Sequence, residues 1–330
     1  MLRSAVFRLS STAVLALLFS LACGSSGSTE PGGLTPGLTH PNGTISSTLT
    51  LSGRPHGVAI ASTGRYCVSQ IDGASVTCGM LTATDVTLLG PILVDLQPAH
   101  VALSADGNQA YTANQFGSSL SIVNLATSAV VATIPLPSQG FNVLADPGSS
   151  RVYVTTSAGS LQIVDAGTRT ILSQVATGPA SNGLALDRSA GILYVSSITA
   201  GTVAAVSTTT NAVVRIYPVS AKPQRIALSA DGKTLFVANE SSGLDILDLT
   251  SGTRSPVAGV DPGAVGLALA PDGKVVYVTN PPAGKVQIVD VATKQVTTLS
   301  GLLSPRNVAF GLSGAAAVVT GEGNKVYVIR

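Results

Sequence analysis

Side chains able to do chemistry are sparse in this chain. It has 330 residues, three histidines, three cysteines and no tryptophan, and only His56 and His100 among the histidines lie beyond residue 43. Two imidazoles fall short of the three protein ligands that hold a catalytic zinc. The sequence contains no Gly-rich phosphate loop, nucleophile elbow or HExxH segment. Neither a catalytic residue, a metal site nor a cofactor is therefore expected. The best candidates for a site are four polar residues that recur at one position of a repeating unit: His100, Asn142, Arg225 and Asn307. Arg225 would supply charge, and the asparagines directional hydrogen bonds, to a small anionic or polar ligand. The same residues would equally suit a watery channel that binds nothing, since such channels are polar in either case.

The elements that position these four come from a sevenfold echo. Turn glycines recur at Gly64, Gly107, Gly148, Gly191, Gly232, Gly273 and Gly314, spaced by 43, 41, 43, 41, 41 and 41 residues. Residues 262–304 show the unit most clearly. Leu267 to Leu269 is an apolar strand, Pro271-Asp272-Gly273 a tight turn, and Val275 to Thr279 a β-branched strand. Val286 to Asp290 makes a third strand and Gln295 to Leu299 an outer one. Four short strands per unit at this period indicate a β-propeller. The first unit is the most degenerate, with Val86 to Leu96 as its weakly marked outer strand. The last unit, from Pro305 to Arg330, has room for only three strands, while a spare strand-like segment, 44–51 (TISSTLTL), precedes the first unit. Pairing the two closes the ring and removes an exposed sheet edge. Residues 44–330 number 287, or 41 per unit. The expectation is an all-β, seven-bladed propeller closed by this N-terminal strand.

Chain direction then sorts the loops onto two faces. Turns after the first and third strands share one face, and loops after the second and fourth share the other. Aligning the units places Gly57, His100, Asn142, Gly183, Arg225, Gly266 and Asn307 just before each innermost strand, around the channel mouth of the second face. That ring contains no carboxylate, although Asp72 or Glu240 could reach in from loops. Phe116 and Phe141 fall in adjacent loops there, as an apolar spot or a cover for a blade junction.

Cys67 and Cys78 flank Asp72-Gly73, a pair suited to a two-residue type I′ turn. Counting outward, 67 faces 78, so a cross-strand disulfide is expected, at a Cα separation of about 5.5 Å for a hydrogen-bonded pair. Two buried thiols packing as small hydrophobes would be the alternative, since both align with Val and Ile positions of other units.

The first 22 residues read as a secretory signal: Arg3 and Arg8, then an uncharged apolar stretch from Leu9 to Ala22. Ser20-Leu21-Ala22-Cys23 resembles a bacterial lipoprotein processing box, departing from it in placing Ser20 where leucine is preferred. The resemblance implies lipidation of Cys23 and a membrane partner through that lipid. Residues 23–43 are rich in Gly, Ser, Thr and Pro and read as a flexible tether reaching about 25 Å, with His40 solvated in it. Mean hydropathy is +0.44, yet no later apolar run approaches the 18 residues or so that a spanning helix needs. Losing Arg3 and Arg8 takes the formal charge from +2 to 0. A neutral head with no Trp gives no electrostatic support for nucleic-acid binding, and no nucleic-acid partner is expected.

Tyr277-Val278-Thr279-Asn280, Leu228-Ser229-Ala230-Asp231-Gly232 and Val286-Gln287-Ile288-Val289-Asp290 resemble the YVTN-type propeller repeats of bacterial and archaeal surface and periplasmic proteins. The likeness extends over nearly all of residues 44–330. It implies the fold but leaves activity open, because that family includes binding proteins and similar propellers act as lactonases or cofactor-dependent enzymes. WD-type repeats are the structural runner-up, but their Gly-His and Trp-Asp signatures are absent. The expectation is an envelope-anchored, monomeric, non-enzymatic propeller presenting its channel mouth to an envelope protein or a small polar ligand. The alternatives are an envelope hydrolase or cofactor-dependent enzyme working around His100 and Arg225, and a surface-layer or adhesion component.

Overall fold

The computed structural model describes residues 39–330; the expected signal, Cys23 and most of the tether lie outside them. Seven four-stranded antiparallel sheets, each a blade, make a seven-bladed β-propeller. Six blades use consecutive strands. The seventh is completed by Ile45–Thr50, which pairs with Lys325–Ile329 through Ser47↔Val328 and Leu49↔Val326. Burial along Ile45–Thr50 alternates between half-buried and exposed, the period-two signature of an outer strand with one face on the core. Reciprocal backbone hydrogen bonds between Thr44 and Arg330 extend the closure by one pair.

Each blade packs on the next through aliphatic clusters, and in five blades a tyrosine of the second strand joins them; the fifth blade has Phe236 there and the seventh no aromatic residue. Tyr66, Tyr153 and Tyr277 are fully buried. Tyr277 meets the Phe310 ring edge-on at 5.0 Å, joining the sixth and seventh blades. Its hydroxyl donates to the Pro41 carbonyl at 3.2 Å. This contact belongs to a segment that the sequence assigns to the tether. His40 is not free in solvent: its Nδ1 lies 2.6 Å from Asp272 Oδ2, and Thr39 N–H donates to Ser313 O at 3.0 Å. Low apolar content hid this docking, which is made by single polar contacts and by the burial of Pro41 alone among residues 39–44.

The first blade is the irregular one, as the sequence indicates. Its outer strand shrinks to Pro91–Leu93, and the chain before it follows the third strand irregularly, through the isolated bridge Leu81↔Val86 and backbone hydrogen bonds from Thr87 to Met80 and from Leu89 to Cys78. The Asp72-Gly73 hairpin differs from the expected turn. Four residues, 71–74, connect the strands, and Ala74 rather than Gly73 takes the positive φ of 43°. Ser118, Gly159, Gly201, Gly284 and Asn324 hold the same place before the third strands of other blades, all at positive φ. Lengthening the loop from two residues to four keeps Cys67 opposite Cys78 but moves the ladder's alternation by one step. The pair therefore takes the close, non-hydrogen-bonded class, with Cα atoms 4.0 Å apart and the two sulfurs bonded.

Candidate axial binding site

The innermost strands run Pro55–Ile60, Pro98–Leu103, Gly140–Ala145, Ser181–Asp187, Pro223–Leu228, Leu267–Leu269 and Pro305–Gly311. Near the start of six of them the pairing slips by one residue: Pro98 opposes Asn114 but His100 opposes Ala113, and Pro305 opposes Gly321 but Asn307 opposes Thr320. Such a bulge sets two inner residues against one and re-aims their side chains. Two stacked rings result. The deeper ring holds His100, Asn142, Arg225 and Asn307, which sit three residues into their strands rather than ahead of them. The outer ring is formed by the residues one place earlier, among them His56, Asn182, Gln224 and Arg306.

Glycine occupies the other deep positions for a steric reason. A Cβ on Gly183 would stand 2.4 Å from Gln224 O, and one on Gly266 2.4 Å from Arg306 O. The adjoining inner strands approach too closely for any side chain there. Hydroxyls on the second strands weld this contact. Ser196 Oγ accepts from Gly183 N–H at 2.7 Å and donates to Gln224 O of the next blade at 2.7 Å. Thr279 does the same between Gly266 and Arg306, and Thr320 between Asn307 and His56. The Thr of Tyr-Val-Thr-Asn is thus a clamp between blades.

Arg225 dominates the electrostatics. Its residue exposure is 9%, its Nε donates to Asn307 Oδ1 at 3.1 Å and its Nη1 to Asn182 Oδ1 at 3.2 Å. Among the described residues no carboxylate forms an ion pair with it. Burial, and then the Arg306 charge, draw its pKa down to about 9, so it stays cationic at neutral pH. His100 is held well below the usual imidazole range by burial and next by Arg225, and its Nδ1 is buried without a partner. His56 is lowered to about 3, mainly by burial and then by Arg306, despite the opposing hydrogen bond of its Nδ1 to Ala99 O at 2.6 Å. Asn142 is buried, its Oδ1 accepting the Val143 N–H at 2.9 Å.

The deep ring is a floor between two cavities. A cavity of about 490 Å³ is bordered by all four predicted residues and runs to the exposed Ser62, Ala105 and Pro147, so it opens on the face of the first-strand turns, opposite to the mouth expected from the sequence. On the other face a smaller vestibule of about 210 Å³ is bordered by the outer ring, and Arg225 and Asn307 line both. Glu240 does reach the vestibule, where its Oε1 accepts from Gln224 Nε2 at 2.5 Å, whereas Asp72 stays outside, paired with Arg54 at 3.0 Å. Phe141 borders the vestibule and Phe116 is 62% exposed. Asn182, Gln224 and Arg306 carry no repeat signal; only the bulge makes two consecutive residues both axial. Gln70, Asn114, Asn239 and Asn280 lie on the second-strand ends but are buried, and Asn114, for example, donates to Ser119 and Ser121.

The histidines predict a pH dependence. An unfolded imidazole takes up a proton near pH 6.5, but folded His56 does not until about pH 3, and His100 also resists. The unfolded chain therefore binds more protons in this window, and stability, full above 6.5, falls as pH drops through it. Each imidazole contributes at most about 1.4 kcal/mol per pH unit. Urea unfolding between pH 7.5 and 4.5 should show this slope, and His56→Gln with His100→Gln should flatten it. Carboxylates with lowered pKa values, such as Asp106 and Asp231, act only below their ordinary range near 3.8.

No protein-family profile matches the chain. Two curated relatives, the uncharacterised YncE proteins of Salmonella typhimurium and Salmonella typhi, are each 30% identical over 144 residues, 42% of this chain. The match spans about two-fifths of those relatives' length, 40%. Among solved structures, a chain of Kuenenia stuttgartiensis hydrazine synthase superposes with a TM-score of 0.76 at 19% identity, covering 86% of this chain and 97% of that one. That likeness is one of fold: a ring of seven four-stranded blades.

Proposed function

We propose that this protein is a non-enzymatic binding module whose axial floor takes a small anionic ligand, and that a lipid on Cys23 holds it at the cell envelope. The observation that carries the binding reading is Arg225, a buried guanidinium bonded to two amide oxygens and no carboxylate. An uncompensated buried charge costs several kcal/mol, so a fold that keeps one without an acid partner gains by receiving an anion from outside. Asn307 and Asn182 hold the guanidinium in place, and the unpartnered His100 Nδ1 offers a further polar contact. The resemblance around Cys23, together with a cross-strand cysteine pair suited to an oxidising compartment, supports the envelope reading.

Binding is tested by thermal unfolding in acetate, phosphate and methylammonium salts of matched ionic strength. The two anions should raise the midpoint in a saturable way and methylammonium should not, with the ligand recovered chemically unchanged. Midpoints that follow ionic strength alone, whatever the ion, would remove the axial site. For the anchor, Cys23→Ala should abolish palmitate labelling; labelling that persists would disprove lipidation there.

A further inference from the structure

The wide cavity above Arg225 has a composition that a bare inorganic anion would not use. Among the described residues, Arg225, at its floor, is the only charged side chain bordering it. Between floor and rim the side chains are aliphatic, Ala59, Ile60, Ala102, Leu103 and Leu144, with polar side chains returning only at Ser62 and Ser104, while the unpaired inner edges of the innermost strands set backbone N–H and C=O groups between them. From His100 at the floor to Ser104 at the rim is four strand residues, about 13 Å at 3.3 Å each. The vestibule on the opposite side differs: Arg306 and Glu240 both border it, along with several amides. The two chambers thus offer opposite surroundings to whatever projects from an anion seated on Arg225.

We infer that the site is built for an amphipathic anion, an aliphatic monocarboxylate that enters from the face of the first-strand turns with its carboxylate on Arg225 and its chain along the aliphatic wall. This rests on Arg225 being an anion site and adds the tail and its direction. The planar guanidinium suits a planar carboxylate, and Asn307 and Asn182 fix its orientation through Nε and Nη1. The cavity's volume is in the range of small-molecule pockets, and its length accepts a medium chain. Each methylene drawn out of water onto the wall adds affinity until the chain reaches the rim.

Titration calorimetry with acetate, butanoate, hexanoate, octanoate and octan-1-ol tests this, using the full chain carrying Cys23→Ala so that no detergent competes. The expected result is affinity rising roughly two- to fourfold per methylene up to a plateau. Octan-1-ol should bind far more weakly than octanoate. Arg225→Met should weaken every carboxylate by about a hundredfold or more, and Arg225→Lys, which keeps the charge and guards against a folding defect, should fall between. Equal affinity for acetate and octanoate would overturn the tail while leaving the anion site standing. Octanoate binding that Arg225→Met does not change, or no binding by any member of the series, would overturn both.

Discussion

Leu49→Pro is expected to destabilise the propeller by about 3–5 kcal/mol and to open it at one seam. Leu51 N–H donates to Asn324 O at 3.0 Å, so the period of two turns the Leu49 N–H toward the same neighbour, opposite Val326. Proline there deletes a ladder bond, leaves an acceptor of the third strand unpaired, and withdraws a half-buried leucine that packs with Val326 and Val328. The loss also bares the edge of the three remaining strands, so the unfolding transition should broaden and the variant should self-associate. Thr48→Pro is the control. Thr48 is exposed and its N–H faces away from the ladder, where proline is tolerated, so its cost should stay below about 1 kcal/mol. Denaturant titration of the two variants makes the comparison. Equal, small effects would mean that the N-terminal strand decorates the ring rather than closing it.

Arg225→Met should separate stability from binding. Removing the guanidinium relieves the burial of a charge that has no acid partner, at the expense of two hydrogen bonds to Asn182 and Asn307. Both amides border the vestibule, where water can replace the lost donor. Methionine is close in volume and flexible enough to fill the space. The expected stability is therefore unchanged or higher by about 1–2 kcal/mol. Anion affinity should fall about a hundredfold or more, the usual cost of removing one partner of a buried charged contact. Urea unfolding and calorimetry on one preparation measure both. A residue that only supports the fold would show the reverse: stability lost and binding unaltered.

Much of the fold is legible in the chain because its determinants repeat. The glycine period, the β-branched second strands and the three-stranded last unit together specify seven blades and their closure, and the structure has both. The pairing of Cys67 with Cys78 is also readable, since register depends on the number of residues between strands and not on turn type. The turn itself is not: Ala74 at φ 43° carries no sign of a left-handed residue, and only the glycines at the same place in other blades hint at it. The deep ring is visible because three Gly and four polar residues align at one position of the repeat, but its depth is hidden. A bulge is a local slip between strands whose trace is one extra residue, and that residue makes Asn182, Gln224 and Arg306 axial. His40 and Asp272 escaped notice for another reason: their contact joins residues 232 positions apart and recurs in no other unit.

The central claim is that Arg225 forms the floor of a one-sided channel that holds an anion. It is tested most directly by a crystal structure with 8-bromooctanoate, locating bromine by its anomalous signal. The account predicts carboxylate density on the Arg225 guanidinium and a bromine peak toward Ser62 and Ser104. Bromine in the vestibule beside Glu240, or none inside the ring at saturating ligand, would contradict it.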